Sequence, residues 1–565
     1  MSNKNLIWLI GGGGLAAAVV AGIAYFTLAN SPKILKMIPA DSEVVMTYNL
    51  NQAIESMGCE ISNDEVVLTP EIEDFVDELF TKRDKKDFNK FLEALVDADN
   101  CFDLDQIALV VNPSDDNEEY ALLSVKDREN AIKLIEDNYK NADFEKEGDY
   151  DVAKTSNREY IVIDDDYCWV YHSSFGVDWD EREKLNESDA VDAIEDLKKK
   201  ADKESISDVS YKDVFNKDAI FALLYNSKGS EFNDYMSSTF GKYWEDTYDE
   251  VKVGVNVTID DAVAEMKVQL YNKEGDKIEK HPMLQNINSD FAKYLTPDDY
   301  FACAIAIDYK FIKNLIEETG ESIDDDAEKI LSSLKGTMSV AFGIKDFKKV
   351  QEGDPSGITF MAMAEMSKND ANELIQMLAK EANGKGMSYD GSTIKFNADG
   401  FNLEIGSKDG YLYIANRPLK EKGNDQIPAS FFEEKQFAAK TLFSKDQELA
   451  KLLDLSEDIT AEMILGEDGC LSYTIDYGDI GDAKGIPDYF IKKAHSIYKS
   501  DSKRRKLEKW FENTYKNAYS YDNYGYDNYG YSDYSYDNYG YGDPVAYDHS
   551  PALADSVAAP YDYYY

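Results

Sequence analysis

Histidine and cysteine are scarce in this chain: 565 residues hold four His and five Cys. His172, His281, His495 and His549 stand far apart and none belongs to an H-E-x-x-H pair, which argues against a histidine-rich metal centre. Cys59, Cys101, Cys168, Cys303 and Cys470 are odd in number, widely spaced and without a C-x-x-C pair. That pattern indicates neither a disulfide framework nor a zinc site. Cys168 and Cys303 sit in apolar, strand-like runs and read as small core residues. A G-x-S-x-G nucleophile elbow and a G-x-x-x-x-G-K-[ST] phosphate loop are also missing. Gly11 to Ala16 fits a dinucleotide fingerprint formally, but no strand precedes it. No catalytic, cofactor-binding or metal-ligating residue is assigned, and no cofactor is expected.

Positive charge is the third shortage. Lys and Arg number 60 against 110 Asp and Glu, a formal charge of −50. So acidic a chain is repelled by nucleic acid and by anionic membrane surfaces. The clusters Asp164-Asp165-Asp166, Asp324-Asp325-Asp326 and Asp115-Asp116 lack EF-hand spacing, as do Asp476, Asp479 and Asp482. They read as solvated turns. Carboxylate pairs nevertheless arise throughout such a chain, so the alternative function is an envelope hydrolase using scattered carboxylates.

What the chain does have begins at Leu6. Leu6 to Leu28 contains no charged residue and no His, and as a helix it spans roughly 35 Å against a hydrocarbon core of about 30 Å. Trp8 lies near one end and Tyr25 and Phe26 near the other, where amphipathic rings favour the interface. A cleaved secretory signal has an apolar core of only about 7–15 residues, so a retained signal anchor is expected. With so short an N-terminus, the large domain is expected outside the cytoplasm. Gly14, Ala18 and Gly22 recur every four positions and share a helix face, a basis for a homodimer through the membrane helix.

Downstream, the hydropathy pattern predicts a recurring order of elements. A strand over Val44 to Leu50 is followed by a helix from Pro70 to Ala98. Strands at Gln106 to Val111 and Tyr120 to Val125 then lead to a helix over Lys126 to Tyr139. A hairpin joins Tyr160–Ile163 to Cys168–Tyr171, and strands follow at Ala219 to Leu224, Val251 to Ile259 and Ala264 to Tyr271. From Thr296 the order repeats: strands at Phe301–Ile307, Met338–Gly343 and Ile358–Met366, a helix over Asp370–Glu381, and a hairpin at Phe401–Ile405 and Tyr411–Ile414. Phe437–Phe443, Ala461–Leu465 and Leu471–Tyr477 close the series. The expected fold is α+β: two related domains, 33–285 and 286–486, each an antiparallel sheet with helices on one face, after a single transmembrane helix at 6–28.

The opening Ile38-Pro39-Ala40-Asp41 before a strand, behind a membrane or lipoprotein signal, resembles an uncharacterised family of Bacteroidetes envelope proteins and lipoproteins. The resemblance covers about Lys33 to Gly485. It implies an envelope location and no known activity. The chain departs from the family in lacking a lipid-attachment Cys after the apolar run.

Residues 487–518 form a basic helical segment, including Lys492, Lys493, Lys503, Arg504, Arg505 and Lys506. It reads as a helix docked on the chain's own acidic domains, with an anionic surface as the rival contact. Residues 519–565 are low in complexity. Tyr521-Asp522-Asn523-Tyr524-Gly525 recurs at Tyr526 to Gly530, with Tyr529, and at Tyr536 to Gly540, with Tyr539. Almost without aliphatics, this tail is expected to be disordered, its tyrosines serving as adhesive or phosphorylatable points. Together these readings predict a non-enzymatic, single-pass membrane protein of the cell envelope, with a binding or scaffolding role towards a protein or glycan partner.

Overall fold

The computed structural model describes residues 32–519 except 63–64, 112–118, 140–141, 156–158, 173–186, 217, 229–247, 249, 280, 282, 319–324, 352–353, 383–386, 399–400, 446–447 and 456. The run Leu6 to Leu28, with Gly14, Ala18 and Gly22, lies outside the described residues, as do Tyr521, Tyr524, Tyr526, Tyr529, Tyr536 and Tyr539. Among the described residues no helix is long and apolar enough to cross a membrane. Two compact units are distinguished, Met1–Asn517 and Ala518–Tyr565, and the first holds nearly everything described.

The fold is α+β around one large antiparallel sheet of 20 strands. The first half supplies β1 (Val44–Tyr48), then, past a separate small hairpin of β2 (Cys59–Ser62) and β3 (Glu65–Leu68), β4 (Phe102–Val111) and β5 (Glu119–Val125). It continues with β6 (Glu145–Glu147), β7 (Tyr150–Lys154), β8 (Glu159–Ile163) and β9 (Tyr167–His172). β10 (Phe221–Asn226), β11 (Lys252–Asp260) and β12 (Val263–Tyr271) complete it. The second half supplies β13 (Asp299–Ala306), β14 (Leu334–Ile344), β15 (Ile358–Met366), β16 (Met387–Tyr389) and β17 (Ile394–Ala398). After them come β18 (Phe401–Lys408), β19 (Tyr411–Ala415), β20 (Lys435–Phe443), β21 (Ile459–Gly466) and β22 (Leu471–Asp476).

The spatial order shows the duplication. Reading inward from one edge, the first half runs β6-β7-β8-β9-β5-β4-β1-β10-β11-β12. Reading inward from the other edge, the second runs β16-β17-β18-β19-β15-β14-β13-β20-β21-β22. The two orders match strand for strand and meet where β12 pairs antiparallel with β22, Val268 opposite Leu471 and Val263 opposite Asp476. Antiparallel equivalent strands in one sheet are related by a twofold axis normal to it. An approximate dyad therefore passes through the β12–β22 pairing.

One face of each half carries the main core. In the first half Val45, Ala108, Val110, Leu122, Val162 and Trp169 are buried under the helix Glu187–Ala201. That helix presents Ala190, Ile194, Leu197 and Ala201, a stripe at helical spacing. Among the described residues the second half has no helix at the corresponding place. Ala302, Ala304, Ala341 and Ala438 instead admit large rings close to the strands, with Phe291, Tyr294 and Phe432 fully buried above them. Small strand residues and large covering residues fill the volume together. The loop that carries Phe432 is tied down by a buried ion pair. Arg417 Nη2 lies 2.7 Å from Asp299 Oδ2, Arg417 Nη1 donates to Thr296 Oγ1 at 2.7 Å, and Asn424 Nδ2 donates to the carbonyls of Thr296 and Asp299.

Two expectations differ from what is observed. Helices cover both faces of the first half, not one. Ile107, Ala153, Ile161, Ile163 and Cys168 point away from Glu187–Ala201 and are buried with Ala131 and Ile135 of the helix Arg128–Asn138. Runs such as Tyr160-Ile161-Val162-Ile163 are apolar at consecutive positions, so both faces of the strand demand cover. The long helix from Pro70 to Ala98 is two helices, Pro70–Leu79 and Lys82–Cys101. Thr81 breaks it by forming a capping box with Asp84: each backbone N–H is taken by the other's side chain. The two halves share one sheet within the unit Met1–Asn517.

The basic segment forms the helices Ile486–Lys499 and Asp501–Tyr519. Ile491 and Ala494 pack on Ile72, Phe75 and Val76, and Lys499 Nζ reaches Asp74 at 2.8 Å and Glu78 at 3.4 Å. Lys503 Nζ reaches Asp454 at 2.8 Å. The helix from the end of the second half thus straps back onto the first. Its N-terminus is set by Asp488, fully buried, which accepts from the Lys484 N–H and pairs with Lys492.

Candidate functional site

The sheet has two faces of different character at its centre. On β11, residues alternate between Asn256, Thr258 and Asp260 on one face and Val255, Val257 and Ile259 on the other. β12 follows with Glu265, Lys267 and Gln269 against Ala264, Met266 and Val268. β22 and β21 continue both sets: Ser472, Thr474 and Glu462 on the polar side, Leu471, Tyr473, Ile475, Leu465, Met463 and Ala461 on the apolar side. Every residue of β21 is only half-buried, on both faces. No described α-helix packs broadly on β11, β12, β20, β21 or β22.

The apolar side extends far beyond these strands. Following the register leftward from Val255 gives Leu223, Met46, Leu109 and Ala121. Rightward from Leu465 it gives Phe437, Ile305, Met338, Ala364 and Leu412. A neighbouring row runs Tyr48, Phe221, Val257, Met266, Tyr473, Met463, Ala439, Cys303, Val340, Ala362 and Ile414. Neither row contains a charged residue. Met266 is 37 % exposed, Phe342 42 % and Ile414 36 %. Phe301, Phe342 and Phe360 form an aromatic ladder on the same side, with centroids 5.9 and 5.2 Å apart. At the ends of these rows Ala364 and Leu412 pack with Ala371 and Leu374 of the helix Lys368–Ala382, and Tyr48 joins the core that holds Ala131 and Ile135. The part between is open, and contiguous exposed apolar surface marks an interaction site.

The polar side carries a groove of about 720 Å³ between the sheet and the 3-10 helix Ser210–Val214. Asp213, Asn216, Asn256, Glu265, Lys267 and Gln269 line it from the first half, and Asp468 and Cys470 close it from the β21–β22 hairpin. Lys267 Nζ is held by Glu265 at 2.6 Å. Tyr271 forms part of the wall, and burial pushes its hydroxyl up to about 12. The hairpin reaches this position because Gly469 adopts φ 69°; a Cβ there would lie 1.9 Å from the Ile278 carbonyl oxygen. At the end of β11, Lys252 is buried beside the Tyr211 ring and donates to the Lys273 carbonyl at 3.0 Å. Burial lowers its pKa below the ordinary lysine range.

The acidic clusters are turns and ion pairs where described. Asp164 Oδ1 accepts from the N–H groups of Asp166 and Tyr167, and Oδ2 takes the Lys198 ammonium at 2.6 Å. Asp476 and Asp479 each accept from the N–H two residues on. Asp115, Asp116 and Asp324 lie outside the described residues. Among the described residues no group of three or more His, Cys, Asp or Glu is arranged to hold a metal ion. All five cysteines are free thiols. Cys168 is in the core and burial pushes it up to about 12, whereas Cys303 stands on the open apolar side and is only half-buried. No protein-family model, no curated protein and no solved structure matches this chain.

Proposed function

We propose that the protein is a non-enzymatic, membrane-anchored cell-envelope protein with a binding or scaffolding role, presented by two related α+β domains fused edge to edge. The observation that carries this reading is the uncharged apolar side of the sheet, left half-exposed across both halves. A scaffold needs a large preformed surface, and a continuous sheet supplies one without mobile parts. Leu6 to Leu28 serves as the single-pass anchor and keeps the sheet outside the cytoplasm, in keeping with the envelope proteins that the Ile38-Pro39-Ala40-Asp41 opening resembles. Gly14, Ala18 and Gly22 allow close helix approach in the bilayer, and the tail tyrosines add weak stacking points.

Membrane fractionation tests the placement. The full chain stays with membranes after alkaline extraction and a chain lacking 6–28 is released; a full chain that is extracted overturns the anchor. Partner capture tests the role. Met266→Lys and Val340→Lys, each placing one charge on the apolar side, lose the partners that the parent retains, and retention of the full set by both variants overturns the reading.

A further inference from the structure

We propose that the apolar side of the sheet is covered by the same side of a second copy of this chain, giving a face-to-face sandwich with the polar grooves outward. This rests on the reading of that side as the interaction surface and names its occupant. Four features of the sheet select a second copy.

Area is the first. Seven strands in sheet order, from β10 through β12 and β22 to β13, share the uncharged rows clear of the helix Lys368–Ala382, which packs on Ala364 of β15. At about 4.8 Å per strand and about 6.8 Å per row, three rows make a surface of roughly 690 Å². A standard stable interface uses about 600–1,000 Å² per partner. The surface is therefore sufficient by itself.

Shape is the second. Neighbouring strands rotate by about 20–25°, so across seven strands the surface cannot follow a flat bilayer. A second sheet of the same hand packs on it at about 30°, roughly 10 Å away.

Symmetry is the third. The dyad through β12–β22 already relates the two halves, and it runs normal to the sheet. A second copy added across an in-plane dyad sets four half-sheets about three mutually perpendicular axes. Each apolar half then meets an equivalent one, and the assembly is closed. A single domain without that twofold can meet only one half in this way.

The fourth is the path of the chain. Ile34 and Leu35, at the point where Leu6 to Leu28 joins the described residues, are buried on the opposite side, in the core beneath Glu187–Ala201. The described chain therefore begins on the far side of the sheet from this surface.

The test is photocrosslinking of the full chain in its membrane, with p-benzoylphenylalanine replacing Met266 on the apolar side or Thr474 on the polar side. The Met266 probe is expected to yield an adduct of twice the chain's mass, the Thr474 probe none. Val268→Lys, one row from the probe, is expected to reduce the Met266 adduct at least tenfold. Ala18→Ile is expected to leave it unchanged, which separates this contact from one made between membrane helices. Adducts only to a different protein or to lipid overturn the sandwich and leave the interaction reading standing. No adduct from Met266 overturns both.

Discussion

Leu223 and Leu224 are adjacent on β10, chemically identical, and face opposite sides of the sheet. Leu224 is 1 % exposed and packs in the core with Ala222, Val110 and Tyr211, whereas Leu223 stands half-exposed between Met46 and Val255. Leu224→Ala removes a buried isobutyl group from a closed core and is expected to cost about 2.7–5 kcal/mol, transfer and cavity terms together. Leu223→Ala removes a group already partly hydrated and leaves no closed cavity. Its expected cost is about 1 kcal/mol, the area term alone for the fraction withdrawn from water. The assay is the hydrogen-exchange opening free energy of the β10 amides, measured on a chain lacking 6–28 at a dilution where sedimentation shows a monomer. Exchange reads the element itself and does not require the whole chain to unfold in one step. Equal losses for the two variants would refute the claim that one side of this strand is core and the other is open surface.

Three further outcomes follow from buried groups. Arg417→Met leaves Asp299 fully buried without its guanidinium and is expected to destabilise β13 and β20 by about 3–5 kcal/mol, while adding Asp299→Leu recovers most of the loss; exchange of those strands reads both. Cys168, pushed up to about 12 by burial, is expected to resist iodoacetamide at pH 8 until denaturant is added, and labelling in the native state would contradict its place in the core. His281 is held below the ordinary histidine value of 6.5 by burial, with Tyr248 Oη 2.9 Å from its Nδ1. The unfolded chain therefore binds the extra proton first, so stability rises with pH up to the unfolded value and falls as pH drops below it. His281→Gln is expected to flatten that part of the pH–stability curve, and an unchanged curve would assign the dependence elsewhere.

The order of elements was legible because each repeat alternates short apolar runs with one strongly periodic helix. Ile358–Met366 is observed with the bounds that its composition implies. The strand β6, Glu145-Lys146-Glu147, was not legible, since all three side chains are exposed and carry no apolar signal. The helix Glu187–Ala201 did leave a signal, the spacing of Ala190, Ile194 and Leu197, hidden by its acidic neighbours. The split at Thr81 was readable as a T-x-x-D capping pattern inside an otherwise helical stretch. The apolar surface could not be read at all. It depends on pairings such as Val268 with Leu471, which join residues far apart in the chain through register alone. Consecutive apolar residues on β1, β4, β10 and β13 announced that both faces of the sheet would be apolar. They did not announce that one face would be left open.

The junction β12–β22 holds the account together, because it makes two repeats into one sheet and one surface. Lys267→Cys with Ser472→Cys, in a Cys470→Ser background, places thiols on directly opposed residues of that junction. Opposed residues of an antiparallel pair have Cα atoms about 4.5–5.5 Å apart, within disulfide range. Mild oxidation followed by non-reducing peptide mapping is predicted to join the two peptides as readily as the hairpin control Asn256→Cys with Lys267→Cys. A control that closes while the 267–472 pair stays reduced would contradict a continuous sheet.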